Sequence, residues 1–327
     1  MSCKVVICGA GFLGRHIGKV LLNSRGSESG SSFQVQMSSR RPEKIWEALH
    51  SEIAGMVPHN RLLPPVAVDI TRPLTIKEAF KDASVVVSLV GIMHGALQDF
   101  ERIQWEGAEN VAIAARDAGA KLIHFSAIGA DPKSSIPYTR TKGLGEQSVL
   151  AVDPTATIIR PSLVFGPEDD FFNRFARLSK ILPFLPVFGG GAARFQPVYV
   201  DDLACAVAII ARNDPKIKES LEGKIIEAGG PQIFTYRELM QLILDTTGRK
   251  RPIISLPFAL GILQGAILER LPLNLFTVTQ AQVEQLKSDN VVSPHLPPNH
   301  LSLEDFLSRN GEVPLHNLHE ILPTYLR

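Results

Sequence analysis

Tyr138 and Lys142, four residues apart in the stretch PYTRTKGLGEQ, are a pair whose types and spacing suit chemistry. On a helix, residues i and i+4 share a face, so the two side chains project together. A free phenol has a pKa near ~10, too high to trade protons efficiently at neutral pH. An ammonium beside it stabilises the phenolate and also suits the ribose of a nicotinamide nucleotide. That arrangement performs proton transfer coupled to hydride transfer. Surface helices carry such pairs by chance, so the weight falls on what surrounds them.

The stretch VVICGAGFLGRHIG sets Gly9, Gly11 and Gly14 in a GxGxxG pattern, directly after an apolar run and at the start of a helical one. One glycine permits a tight turn, one lets backbone approach a pyrophosphate, and one lets helix pack on strand. The helix N-terminus at Phe12 and Leu13 offers free N–H groups and the positive dipole end to phosphates. The next strand ends in MSSRRPEK, with no Asp or Glu to hold a ribose 2′-hydroxyl. Ser38, Ser39, Arg40 and Arg41 stand there instead, and guanidinium groups and hydroxyls suit a 2′-phosphate. Arg15 is expected to reach the same phosphate. The pattern therefore favours NADP(H) over NAD(H). By position, Asp69 and Ile70 at the end of the third strand are expected beside the adenine, and Gly91 beneath the cofactor's ribose.

Strands are expected at 4–8, 33–37, 66–69, 84–90, 121–126 and 155–160, several of them nearly continuous in apolar residues, as in a sheet covered on both faces. Helices are expected at 12–23, 42–54, 75–81, 104–118 and 138–151. This alternation predicts an α/β fold, a doubly wound parallel Rossmann sheet over residues 1–160. Residues 161–327, with their proline- and glycine-rich stretch 183–195, are expected to add a smaller α/β lobe interleaved with the first, leaving a crevice between them. The Gly/Ser-rich insertion 23–32 reads as a surface loop.

With 34 basic and 33 acidic residues in 327, the chain has no global field to attract nucleic acid. Three cysteines are too few for a disulfide framework or a tetrahedral metal site. His316 and His319 read as a partly exposed helical pair, without metal. The first strand begins so early that no cleavable presequence is expected, and no run is long enough for a transmembrane span. The apolar stretch 258–276 is expected to be a core helix, with docking to a membrane or a quinone tail as the alternative.

GAGFLG together with YTRTK resembles the extended or atypical short-chain dehydrogenase/reductases. RPSLVFGPEDDFFNRFARL, FQPVYVDDLACAV, EAGGPQIFTYRELMQLI and LPTYL resemble, nearly end to end, the dehydrogenase-like accessory subunit of respiratory complex I and its relatives in ubiquinone biosynthesis. The resemblance implies a bound dinucleotide, complex I subunits or a quinone-biosynthesis complex as partners, and a mitochondrial location on the matrix side of the inner membrane. It also exposes two departures. Cys8 stands where the extended fingerprint carries a glycine. Ile128 stands where active members carry a catalytic hydroxyl, leaving Ser126 as a substitute third member. Cofactor binding without turnover is one expectation; an active NADPH-dependent oxidoreductase or nucleotide-sugar epimerase using Tyr138 and Lys142 is the other.

Overall fold

A computed structural model describes residues 3–24, 32–212, 214–268, 275, 277–311 and 314–326. Most of the 23–32 insertion and the end of the 258–276 stretch lie outside the described residues. In chain order the first elements are β1 (Cys3–Cys8), α1 (Phe12–Asn23), β2 (Phe33–Ser39), α2 (Glu43–Ile53), β3 (Val66–Ala67), α3 (Pro73–Ala79) and β4 (Val85–Ser88). Then come α4 (Leu97–Phe100), a π-helical turn (Glu101–Glu106), α5 (Gly107–Asp117), β5 (Lys121–Phe125), α6 (Pro137–Val152) and β6 (Thr157–Pro161). The expected helix over 104–118 thus opens with a π-helical turn, a local widening that periodicity does not announce.

The chain continues through β7 (Val164–Phe165), α7 (Asp170–Ile181), β8 (Leu185–Phe188), β9 (Arg194–Phe195), β10 (Val198–Tyr199), α8 (Val200–Ala211), α9 (Pro215–Leu221) and β11 (Ile225–Ala228). It ends with β12 (Phe234–Thr235), α10 (Tyr236–Thr246), β13 (Ile253–Leu256), α11 (Phe258–Leu268), α12 (Gln280–Gln285), β14 (His300–Ser302), α13 (Leu303–Arg309) and α14 (Leu318–Tyr325). Two compact units result. The first comprises Met1–Arg160, Val200–Glu227 and His295–Val313, and the second Pro161–Tyr199, Ala228–Pro294 and Pro314–Arg327. A division at residue 160 assigns 200–227 and 295–313 to the C-terminal lobe; the structure groups them with the first unit.

The first unit carries an eight-stranded sheet in the order β14-β11-β6-β5-β4-β1-β2-β3. β1 pairs in parallel with β2 on one side and β4 on the other. Helices cover both faces, which is why strands such as β1 and β4 are mostly apolar. Val6, Cys8, Val86 and Leu122 pack with Val111, Ala112 and Ala115 of α5 and Val149 of α6. On the other face Ile7 and Met37 meet α1 at Gly18, where a Cβ would lie 3.0 Å from Leu49 of α2. The strand order reverses between β1 and β4, and ligands of such sheets bind outside the carboxyl ends of the strands at that point.

The second unit has its own core of Phe165, Phe172, Leu185, Val187, Leu239, Met240, Ile243 and Leu322. The VFGPEDDFFNRFA motif has a physical role there. Asp169 is buried and caps α7, accepting from the Phe172 amide at 2.6 Å and from the Tyr325 hydroxyl at 2.6 Å. Asp169→Ala removes the cap and orphans a half-buried phenol, so it should cost about 2 kcal/mol, read as a fall in the urea midpoint.

α11 departs from the expected core helix. Gly261 and Gly265 are buried against Phe188 and Gln280, but Leu260 and Leu263 are 51% and 59% exposed. Among the described residues no helix is long and apolar enough to cross a membrane.

Candidate functional site

A cavity of about 650 Å³ opens at the switch point of the first unit. Gly9, Ala10 and Gly11 from the β1–α1 turn, Ser39 and Arg40 from the end of β2, and Asp69 and Ile70 after β3 line it, as does Gly91 after β4. The turn is built as its glycines require. Gly9 has φ +112°, a conformation L side chains rarely adopt, and a Cβ there would meet Leu89 and Val90 at 3.0 Å. Its amide donates to Ser38 O at 2.8 Å, tying the turn to β2. A Cβ on Gly14 would lie 2.9 Å from Gly9 O, so that glycine lets α1 close on the turn. At Gly11 nothing stands within 4 Å of where a Cβ would be, and α1 begins there without a side-chain cap. Open space at a helix N-terminus fits the pyrophosphate of a dinucleotide.

Asp69 is turned inward on its own loop, accepting from the Thr71 amide at 3.0 Å and hydroxyl at 2.7 Å. Those hydrogen bonds, with the charges of Arg72 and Arg40, hold its carboxyl below the usual range. Arg72, Arg102, Glu106 and Asn110 also line the cavity, and sequence reasoning missed them. Asn110 Nδ2 donates to Ile70 O at 3.0 Å and braces the loop. Arg72, three residues past Asp69, is the missed residue with a signal: a second cation beside the same wall.

Phe12, Leu13, Gly14, Arg15, Ser126, Tyr138 and Lys142 are not among the lining residues. Arg15, expected at the 2′-phosphate, donates from its Nε and Nη2 to Glu52 of α2 at 3.2 and 2.9 Å. Glu52 also pairs with Lys19, a competition from a neighbouring helix that the motif alone conceals.

Tyr138 and Lys142 both lie on α6, as expected. Lys142 is buried and donates from Nζ to Phe125 O at 3.0 Å. A Cβ on Gly91 would lie 3.3 Å from Nζ, so the ammonium stands directly behind the cavity wall at Gly91. Gln104 of the π-helical turn stands beside it, donating to Thr141 Oγ1 at 2.9 Å. The phenol behaves differently. The Tyr138 ring packs edge-on to Phe100, and burial pushes its pKa up to about 12 rather than down. No hydrogen bond joins it to Lys142 or Ser126. Ser126 Oγ is buried with no hydrogen-bond partner. The expected triad is therefore near in sequence but not wired as an acid–base relay.

Burial pushes Lys142 down to about 8, with Glu146 pulling the other way. Its folded pKa lies below the unfolded value, so between about pH 8 and 10.5 the unfolded chain binds more protons. Stability should rise across that window by up to about 3 kcal/mol. Lys142→Met should flatten the rise in urea unfolding measured from pH 7.5 to 10.5; an unchanged slope would contradict the burial of a charged lysine.

A model of the NAD dependent epimerase/dehydratase family matches residues 5–229. NADH dehydrogenase (ubiquinone) 1 alpha subcomplex subunit 9, mitochondrial, of Arabidopsis thaliana is 30% identical over 297 residues, covering 86% of this chain and 70% of that protein. Ceramide reductase of Caulobacter vibrioides is 28% identical over 267 residues, covering 81% of this chain and 77% of that protein. Among solved structures, Citrobacter sp. triphenylmethane reductase complexed with NADP(H) is similar with a TM-score of 0.68. Its identity is 19%, over 99% of this chain and all of that one, a likeness of fold.

Proposed function

The chain belongs to the NAD dependent epimerase/dehydratase family, and from that premise we propose that it holds NADP(H) and uses it for structure more than for turnover. The observation that carries this reading is the cavity itself. Glycine backbone and a helix N-terminus face one end, and Ser39, Arg40 and Arg72 stand where a 2′-phosphate would come. No acid closes β2 to prefer an unphosphorylated ribose. Bound there, the dinucleotide supplies hydride chemistry in principle. This chain's own residues would bind its phosphates at Gly9–Gly11, its adenosine at Asp69 and Ile70, and its nicotinamide ribose at Gly91 and Lys142.

Against turnover stand Ile128 in the position of the catalytic hydroxyl, Ser126 without a partner and a phenol pushed up rather than down. A cofactor that binds only the native state stabilises it by mass action, which suffices for a structural role. The relatives named as mitochondrial NADH dehydrogenase subunits support service in respiratory complex I, which would place the chain on the matrix side of the inner membrane. The relative named ceramide reductase supports the second reading, an NADPH-dependent reductase with Tyr138 as acid and Lys142 as its partner.

The test is a thermal melt with NADPH, NADP⁺, NADH or nothing, on the wild type, Arg40→Ala and Tyr138→Phe. The expected result is a rise of several degrees with NADPH, lost for the most part in Arg40→Ala and kept in Tyr138→Phe. Equal shifts with NADH would remove the 2′-phosphate from the account.

A further inference from the structure

β5 ends in a polar pair that the cofactor reading leaves unused. His124 and Ser126 alternate onto the same face of the strand, each more than nine-tenths buried. His124 Nδ1 lies 3.3 Å from Ser88 Oγ on the neighbouring strand, while its Nε2 has no partner; nor has Ser126 Oγ. Buried polar groups without partners cost stability, and natural chains carry them mainly at functional sites. Between the two stands Phe125, whose carbonyl receives Lys142 Nζ at 3.0 Å. The ammonium has three donors, and that hydrogen bond uses one of them. The two acceptors without partners, Nε2 and Oγ, thus belong to the residues on either side of the one whose carbonyl takes the ammonium.

We propose that His124 is a positioning residue for Lys142. Its Nδ1–H is donated to Ser88, and its Nε2 lone pair, with Ser126 Oγ, both without a partner in the free protein, receives the ammonium when a ligand docks at Gly91. The inference rests on the proposed role of Lys142 at the nicotinamide ribose. Burial first, and then the charge of Lys142, push His124 down to about 3, so the imidazole is neutral and has a lone pair to offer at physiological pH. The charge also decides the tautomer, because a cation repels an N–H and attracts a lone pair.

Two measurements test this. The first needs no nucleotide: ¹⁵N NMR of the histidine-labelled protein at pH 7, for the wild type and Lys142→Met. The expected signature is an unprotonated Nε2 in His124 whose resonance moves on Lys142→Met. A protonated Nε2, or one indifferent to that substitution, overturns the proposal. The second is NADPH affinity. His124→Leu should weaken it roughly tenfold, the loss of a hydrogen bond to a charged group, while leaving the melting temperature of the free protein equal or higher. His124→Gln, which returns an acceptor, should recover most of that loss. Undiminished affinity in His124→Leu overturns the proposal. If the wild type itself binds no nucleotide, the cofactor reading has failed instead, and the NMR result still decides the pairing of His124 with Lys142.

Discussion

Glu146→Gln should cost about 3 kcal/mol of stability, because it strips the partner from a buried cation. Glu146 lies one turn beyond Lys142 on α6 and is buried. It accepts from Arg160 Nε at 2.8 Å and Nη2 at 2.5 Å, a two-pronged pair across to β6. Arg160 is then left with Glu227 at 3.9 Å, itself paired with His300 at 2.9 Å. Urea unfolding at constant m should show the loss. A second effect follows at the site. Glu146 is the anion that raises the pKa of Lys142 against burial, so its removal drives that pKa further below about 8. At pH 7.5 more of the lysine becomes neutral, and nucleotide affinity should fall with it. The double substitution Glu146→Gln with Arg160→Met separates the two effects. Removing both charges should restore most of the stability and none of the affinity. A double variant as unstable as the single would contradict the ion-pair account.

Gly145→Ala should destabilise the fold by about 2–3 kcal/mol, as overpacking does in a close-fitting core. By propensity alone the sign would be opposite, since alanine is worth about 1 kcal/mol over glycine inside a helix. Contact decides it. A Cβ at 145 would stand 2.3 Å from the carbonyl oxygen of Gln104, a backbone atom of the π-helical turn, and one at Gly143 would stand 2.4 Å from Pro132 N. The two glycines let α6 lie almost on the neighbouring backbone. That approach brings Gln104 beside Lys142 and both beside Gly91. A lowered urea midpoint with reduced nucleotide binding is the expected result; a raised midpoint would mean that α6 does not need this approach.

The parts of the site that were legible in the sequence are those specified within a few residues. The glycine turn is written in Gly9, Gly11 and Gly14, and β1 and α1 formed on either side of it as expected. The absence of an acid after β2 is read directly from SSRR. The α6 pair is legible because i and i+4 share a face. What depends on residues far apart in the chain was not legible. Arg15 carries no mark of Glu52, 37 residues on, which takes its guanidinium. Gln104 and Asn110 read as polar positions of an amphipathic helix until the sheet brings Gly91 and Ile70 to them. The pairing of Glu146 with Arg160 crosses from helix to strand, and no periodicity connects them. The apolar stretch at 258–268 misled for another reason: composition shows that α11 is apolar, not that one side carries its glycines inward and leaves Leu260 and Leu263 outward.

Whether the cavity selects a 2′-phosphorylated dinucleotide is decided by a calorimetric titration of the purified, nucleotide-free protein with NADPH and with NADH at fixed ionic strength, repeated on Arg40→Ala. NADPH should bind at least tenfold tighter than NADH, equivalent to about 1.4 kcal/mol, with the difference largely erased in Arg40→Ala. Equal affinity for the two nucleotides in the wild type, or binding of neither, would contradict that selection.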